Sequence, residues 1–308
     1  MSGPTAVVFA YHDVGVRCLK ALLSGGVRIP LVVTVADDPN ENRWYASVAA
    51  AAADYGLDVI TPAGAALPAL EARLAALAPD FLFSFYYRSL LPAALLGSAR
   101  RGALNMHGSL LPRYRGRAPV NWAILKGERE TGATLHYMVE RADAGDIVDQ
   151  LAVPILIDDD AREVFAKVTV AAETILVRSL PQLIAGTAAR RPQAVLAGEY
   201  FGRRTPADGR IDWLRPAREV HDLVRAVAPP FPGAFADLGG ERWDIHRTRL
   251  SERRFPRAGA WLFGAEGGLF AACGDGGVLE LLEVRQGGAP TDRARLARTF
   301  GTRPLQLG

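Results

Sequence analysis

The chain has 308 residues, 49% of them hydrophobic and 22% charged, which is the size of two domains and the composition of an ordinary globular protein, not of a disordered or fibrous one. Its formal charge of +3 is unevenly placed: from Gly209 onward 15 Arg face 12 acidic residues, while the first 208 residues carry 21 of each sign. The larger part therefore lacks the basic face of a nucleic-acid binder, and two cysteines (Cys18, Cys273) with five histidines in no HExxH-type spacing predict neither a disulfide framework nor a metal site.

No apolar stretch reads as a membrane span. The opening MSGPTAVVFAYHD has no basic n-region and no cleavage pattern, so it is expected to begin the fold of a cytoplasmic protein. Strands are predicted at Ala6–Ala10, Leu31–Val35, Asp58–Ile60, Phe81–Phe85 and Gly102–Met106, with helices at Val14–Ser24, Trp44–Tyr55 and Leu67–Leu77 between them. That alternation predicts a doubly wound, mostly parallel α/β sheet. The first turn reads AYHDVG and not GxGxxG, so the dinucleotide fingerprint is absent. A further strand-like run, Ala133–Val139, precedes a long amphipathic helix at Ala161–Ala185 whose N-cap candidates are Asp158, Asp159 and Asp160.

The segment FGRRTPADGR reads as a crossing to a second domain. After a helix at Ala217–Val227 the apolar runs shorten and are separated by glycine pairs such as Gly239-Gly240 and Gly287-Gly288, the pattern of a small β-rich domain. The expected organisation is a catalytic domain over 1–190, a linker over 191–208 and the β domain over 209–308. The cluster Arg247, Arg249, Arg253, Arg254 and Arg257 reads as a solvated hairpin edge.

The densest chemistry lies in LNMHGSLLPRYRGRAP, Leu104 to Pro119, and in VERADAGDI, Val139 to Ile147. Asn105 and His107 are two apart at the end of a strand, so their side chains leave the same face, at the edge where α/β sheets bind ligands. Asp143, in a loop after a neighbouring strand, can reach them. Taken singly, each is more often a turn or structural residue; together an amide donor, a base near neutrality and a carboxylate suit acyl transfer.

NMHGSLLPRYRGRAPVNWAI and ETGATLHYMVERADAGDIV strongly resemble the core of the folate-dependent formyltransferases, a superfamily that includes methionyl-tRNA, glycinamide ribonucleotide and sugar N-formyltransferases. VVFAYHDVG, DDPNENRWYASVAAAAADYGL, FSFYYRSLL and FGRRTPADGRIDW extend the likeness to nearly the whole chain. They resemble the formyltransferase half of the bifunctional polymyxin-resistance enzyme that makes UDP-4-formamido-4-deoxy-L-arabinose for lipid A modification, and a stand-alone protein without its decarboxylase half is expected.

The resemblance implies a Rossmann-like catalytic domain, an OB-like C-terminal domain and 10-formyltetrahydrofolate as formyl donor, with no metal. It implies Asn105, His107 and Asp143 as the catalytic trio, and Ser89, Leu90, Leu91, Arg117, Val139, Glu140, Arg141 and Ala142 as folate contacts. The expected acceptor is a small nucleotide-linked amino sugar, with Arg203 and Arg204 as candidates for its diphosphate. No nucleic-acid partner and no membrane insertion are expected, and the oligomeric state, including a homo-oligomer, stays open. The alternative is methionyl-tRNA formyltransferase, which the short acidic segment ADDPNENRWYASV disfavours because acceptor-stem binding needs cations.

Overall fold

The computed structural model describes residues 3–36, 42–62, 67–194, 200–238 and 240–307. They form two compact units that interleave along the chain: Met1–Pro119, Thr131–Val153 and Ala166–Phe201 in the first; Val120–Glu130, Pro154–Phe165 and Gly202–Gly308 in the second. Two segments predicted for the first domain, Val120–Glu130 and Pro154–Phe165, thus group with the second, and the predicted linker divides at Phe201.

The first unit is built on β1 (Thr5–Ala10), α1 (His12–Ser24), β2 (Arg28–Val33), α2 (Val48–Asp54), β3 (Val59–Ile60), α3 (Leu67–Leu77), β4 (Phe81–Phe85), α4 (Ala93–Leu96), β5 (Gly102–His107) and β6 (Arg115–Gly116). After α5 (Pro119–Leu125) come β7 (Glu130–Tyr137), β8 (Ile147–Pro154), α6 (Ala161–Ala185) and β9 (Tyr200–Phe201). Seven strands order as β3-β2-β1-β4-β5-β7-β8, parallel from β3 to β5 and antiparallel from β5 to β7. This is the mostly parallel sheet that the alternation predicts, in the Rossmann-like form that the resemblance implies. Buried Val7, Phe9, Leu31, Val33 and Leu82 fill one of its faces with Leu70 and Leu74 of α3.

Some boundaries differ from the predicted ones for local reasons. β2 starts at Arg28 because the Arg28 N–H donates to the Pro4 carbonyl at 2.8 Å, and Pro30 is tolerated where the β1–β2 register shifts. α2 starts only at Val48 because the Ser47 hydroxyl accepts the Ala50 N–H, an N-cap that ends the irregular Trp44–Ala46 approach. α6 corrects the reading that no stretch is long and apolar enough for a bilayer, since by length and composition it is. Half of its most apolar window is buried, and it carries Arg178, whose guanidinium pairs with Asp149 of β8. Burial in an α/β layer demands the same apolarity as lipid.

In the second unit α5 is followed by a 3₁₀ turn at Pro206–Gly209, α7 (Ala217–Val227), β10 (Ala234–Leu238), β11 (Glu241–Ser251), β12 (Ala260–Ala265), β13 (Gly268–Ala272), β14 (Val278–Gln286), β15 (Ala289–Pro290), α8 (Arg293–Thr302) and β16 (Leu305–Leu307). The strands form an antiparallel sheet, β10-β11-β14-β13-β12-β16 with β15 on β14. Val220 and Val224 of amphipathic α7 pack with Trp243, Ile245, Leu279 and Leu281 in its core. The Asn121 amide of α5 donates to the Ala226 carbonyl at 2.8 Å. Within the arginine cluster, Arg249 pairs with Glu280, Arg253 with Glu266, and Arg257 lies over the Trp261 ring.

Candidate active site

β5 runs one residue further than predicted, to His107, and its antiparallel register with β7 sets Asn105 opposite His136 and His107 opposite Thr134. With period-two alternation this gathers an amide, two imidazoles and a hydroxyl on one face of the sheet. Beyond β5 the chain folds back over that face. The Thr134 hydroxyl donates to the Ser109 carbonyl at 2.6 Å and accepts the Leu111 N–H at 3.1 Å, which ties the loop to β7. The loop then passes through left-handed backbone at Tyr114 (φ 55°), Gly116 (φ 102°) and Ala118 (φ 51°).

Two contacts on the candidate side chains come from this loop. The His107 Nε2–H donates to the Tyr114 carbonyl at 2.9 Å, and the Gly116 N–H donates to Asp143 Oδ2 at 2.9 Å. Gly116 is required twice over: its φ suits glycine, and a Cβ there would lie 2.3 Å from the Phe201 carbonyl oxygen.

Asp143, itself left-handed at φ 54°, brings Oδ1 to 3.6 Å from His107 Nδ1 and 3.8 Å from His136 Nε2. Both distances exceed a direct hydrogen bond but are within reach of charge interaction. The tautomers follow from fixed acceptors. Since His136 Nδ1 faces the Tyr137 carbonyl at 2.8 Å, Nδ1 carries the proton and Nε2 accepts from the Asn105 amide at 3.1 Å. Asn105 is thus oriented, with its second N–H left over. His107 spends Nε2–H on Tyr114, so its basic atom is Nδ1, on the Asp143 side.

Electrostatics agree with this arrangement. Burial, opposed by the Asp143 charge, lowers the His136 pKa from 6.5 to about 4, so this ring is neutral near pH 7. Burial would raise the Asp143 pKa, but the charges at His107 and His136 and the Gly116 hydrogen bond outweigh it and hold the carboxyl below its ordinary value, ionised at neutrality.

The predicted folate residues divide. Ser89 and Leu90 are exposed, Leu90 to 76%, while half-buried Leu91 packs on the sheet core. Val139 is 47% exposed, Glu140 and Arg141 are exposed, and Ala142 is half-buried on the approach to Asp143. Exposed Arg117 donates its backbone N–H to the Phe201 carbonyl at 2.9 Å. Arg204 lies over the Trp122 ring and donates to the Asp208 carbonyl, a structural commitment, whereas Arg203 is exposed. Residues 37–41 of the acidic segment lie outside the described residues. Among the described residues no group of three His, Cys, Asp or Glu side chains could hold a metal.

Several functional candidates escape a reading of the sequence. His136 is visible there only as one of five histidines, because its importance depends on strand register. At the end of β1, His12 (φ 67°) stacks on Tyr45 at 3.9 Å and meets Trp44 edge-on, while Arg88 lies over Tyr11.

Burial also lowers the pKa of His12, to about 3 with help from Arg88, and that of His221 in the second unit. For all three histidines the unfolded chain binds protons more readily than the folded one. Stability is therefore expected to be full above about pH 6.5 and to drain as pH falls toward 4, His136 alone accounting for roughly 3 kcal/mol at the bottom of that window. Thermal melts between about pH 7.5 and 4.5 test this; a melting temperature that stays level across the range refutes it.

Comparison with known proteins agrees with this architecture. A family model described as formyl transferase matches residues 7–180, and one described as formyl transferase, C-terminal domain, matches residues 203–300. Among solved structures the chain is similar to an N-formyltransferase from Helicobacter canadensis in complex with folinic acid and dTDP-3-aminofucose, at 21% identity and a TM-score of 0.72, over 91% of this chain and 98% of that one. It is similar to a 4-N formyltransferase from Francisella tularensis, at 20% identity and a TM-score of 0.64, over 79% of this chain and 96% of that one. HypX from Aquifex aeolicus, in complex with tetrahydrofolic acid, matches at 18% identity and a TM-score of 0.63, over 97% of this chain and 48% of that one. At such identities the likeness is one of fold.

Proposed function

The chain belongs to the formyl transferase family, and from that premise we propose that it moves a formyl group from 10-formyltetrahydrofolate to the amine of a nucleotide-linked amino sugar, UDP-4-amino-4-deoxy-L-arabinose being the leading acceptor. The observation that carries the reading is the pair of oriented contacts at the end of β5: Asn105 held by neutral His136, and His107 held by Tyr114 with its Nδ1 toward ionised Asp143. The Helicobacter protein's folinic acid and dTDP-3-aminofucose supply the classes of donor and acceptor, and the sequence likeness supplies the arabinose derivative and its link to polymyxin resistance.

Each residue has one task in this mechanism. The Asn105 N–H that His136 leaves over donates to the formyl oxygen as that oxygen gains negative charge. His107 Nδ1 takes the proton released by the attacking amine, and the imidazolium so formed lies between the Tyr114 carbonyl and the Asp143 carboxylate. His107 then returns the proton to the departing folate nitrogen, which restores the starting state. Leu90 and Val139, apolar and exposed, suit the faces of a pterin, with the Val139–Asp143 backbone and Arg117 offered to its polar edge and tail.

Formylation assays with 10-formyltetrahydrofolate against UDP-, dTDP- and GDP-linked amino sugars, with charged methionyl-tRNA as comparator, test the acceptor across a salt series. A sugar nucleotide is expected to turn over with weak salt dependence. Binding of tRNA through many phosphates would instead lose about three decades or more between low and moderate salt. Steeply salt-sensitive formylation of the tRNA, with no amino sugar accepted, would replace this reading by the methionyl-tRNA one.

A further inference from the structure

Asp143 occupies a conformation that costs a non-glycine residue of its kind roughly 1 kcal/mol, and its carboxylate is useful only if that turn is held. The Gly116 N–H secures the side chain from one side. The backbone is secured by a segment that the mechanism above does not use. The Gln193 side-chain amide donates to the Asp143 carbonyl at 3.2 Å and to the Gly145 carbonyl at 2.5 Å, spanning the turn. Because both partners are carbonyl oxygens, the nitrogen of Gln193 must be the atom that faces them.

The segment carrying Gln193 is itself fastened at two points. Arg191 and Ile147 exchange both backbone hydrogen bonds, at 2.8 and 2.9 Å, and the Arg190 guanidinium lies 3.7 Å from the Tyr137 ring centroid. Tyr137 and Ile147 are the residues at which β7 ends and β8 begins, so this strap clamps both stems of the Asp143 loop while Gln193 clamps its tip. Gly145 adds that the loop is closed tightly, since a Cβ there would lie 2.0 Å from the Tyr137 carbonyl oxygen.

We propose that Gln193 is a positioning residue for formyl transfer: its amide holds the left-handed turn that keeps the Asp143 carboxylate within reach of His107. The proposal rests on the reading that Asp143 serves the reaction. Gln193→Met keeps the length and removes the donors. It is expected to lower kcat between about tenfold and a hundredfold, the scale of an ångström misplacement of a catalytic group, with KM for the sugar nucleotide and the melting temperature unchanged. In an Asp143→Asn background the same substitution should cost nothing further, because a residue that acts through Asp143 has nothing left to position.

If Gln193→Met lowers the melting temperature, Gln193→Asn, which keeps the amide but withdraws it by one methylene, reads the same coupling. Turnover equal to wild type, or an equal loss in both backgrounds, overturns the proposal. A fully active Asp143→Asn enzyme would bring down the site reading and this proposal together. A slow Asp143→Asn enzyme with additive Gln193 losses removes only the role of Gln193.

Discussion

His107→Ala is expected to lower formyl-transfer turnover at least about a hundredfold while leaving the protein folded, because it removes the group proposed to accept the amine's proton and return it. The ring is 7% exposed, donates to the Tyr114 carbonyl and lies 3.6 Å from the Asp143 carboxylate, contacts that are polar, so its loss is expected to leave the apolar core in place. Circular dichroism and a melt confirm folding before rates are compared. His107→Ala and Asp143→Asn should also be strongly non-additive, since a carboxylate that stabilises an imidazolium has no purpose without the ring. A folded His107→Ala enzyme with wild-type turnover refutes the assignment outright.

Asn105→Ala should cost a comparable amount, roughly 3 kcal/mol in the barrier or about a hundredfold or more in rate, by removing the donor proposed for the developing oxyanion. Asn105→Asp sharpens the test. It keeps size and places an acceptor where the neutral His136 Nε2 also accepts, so it should be at least as slow as the alanine variant. If Asn105→Ala instead raised KM and left kcat alone, Asn105 would bind substrate without stabilising the transition state.

Much of the first unit is legible in the sequence because its strands and helices alternate with clear period, and Asn105 and His107 stand out because two residues apart on a strand means one face. What the sequence hides is everything set by pairing between distant strands. His136 becomes a partner of Asn105 only through the β5–β7 register. Gln193 matters only because Arg191 returns to Ile147. The start of α2 depends on a single hydroxyl at Ser47, which a reading of apolar period passes over. The interleaving of the units is equally invisible, because Val120–Glu130 carries no boundary signal and joins the second unit through tertiary contacts alone.

That interleaving bears on how the protein is made. Asn121 leaves the ribosome 105 residues before the Ala226 carbonyl it must meet, so α5 emerges with its own unit still unsynthesised. The second unit closes its core only after nearly the whole chain is available, a high-contact-order assembly that is slow relative to local folding. For the same reason no single cut yields both units whole. A truncation at the apparent linker strands α5 and the Pro154–Phe165 segment on the wrong fragment, and recombination between relatives at that point would exchange a core with two of its pieces missing.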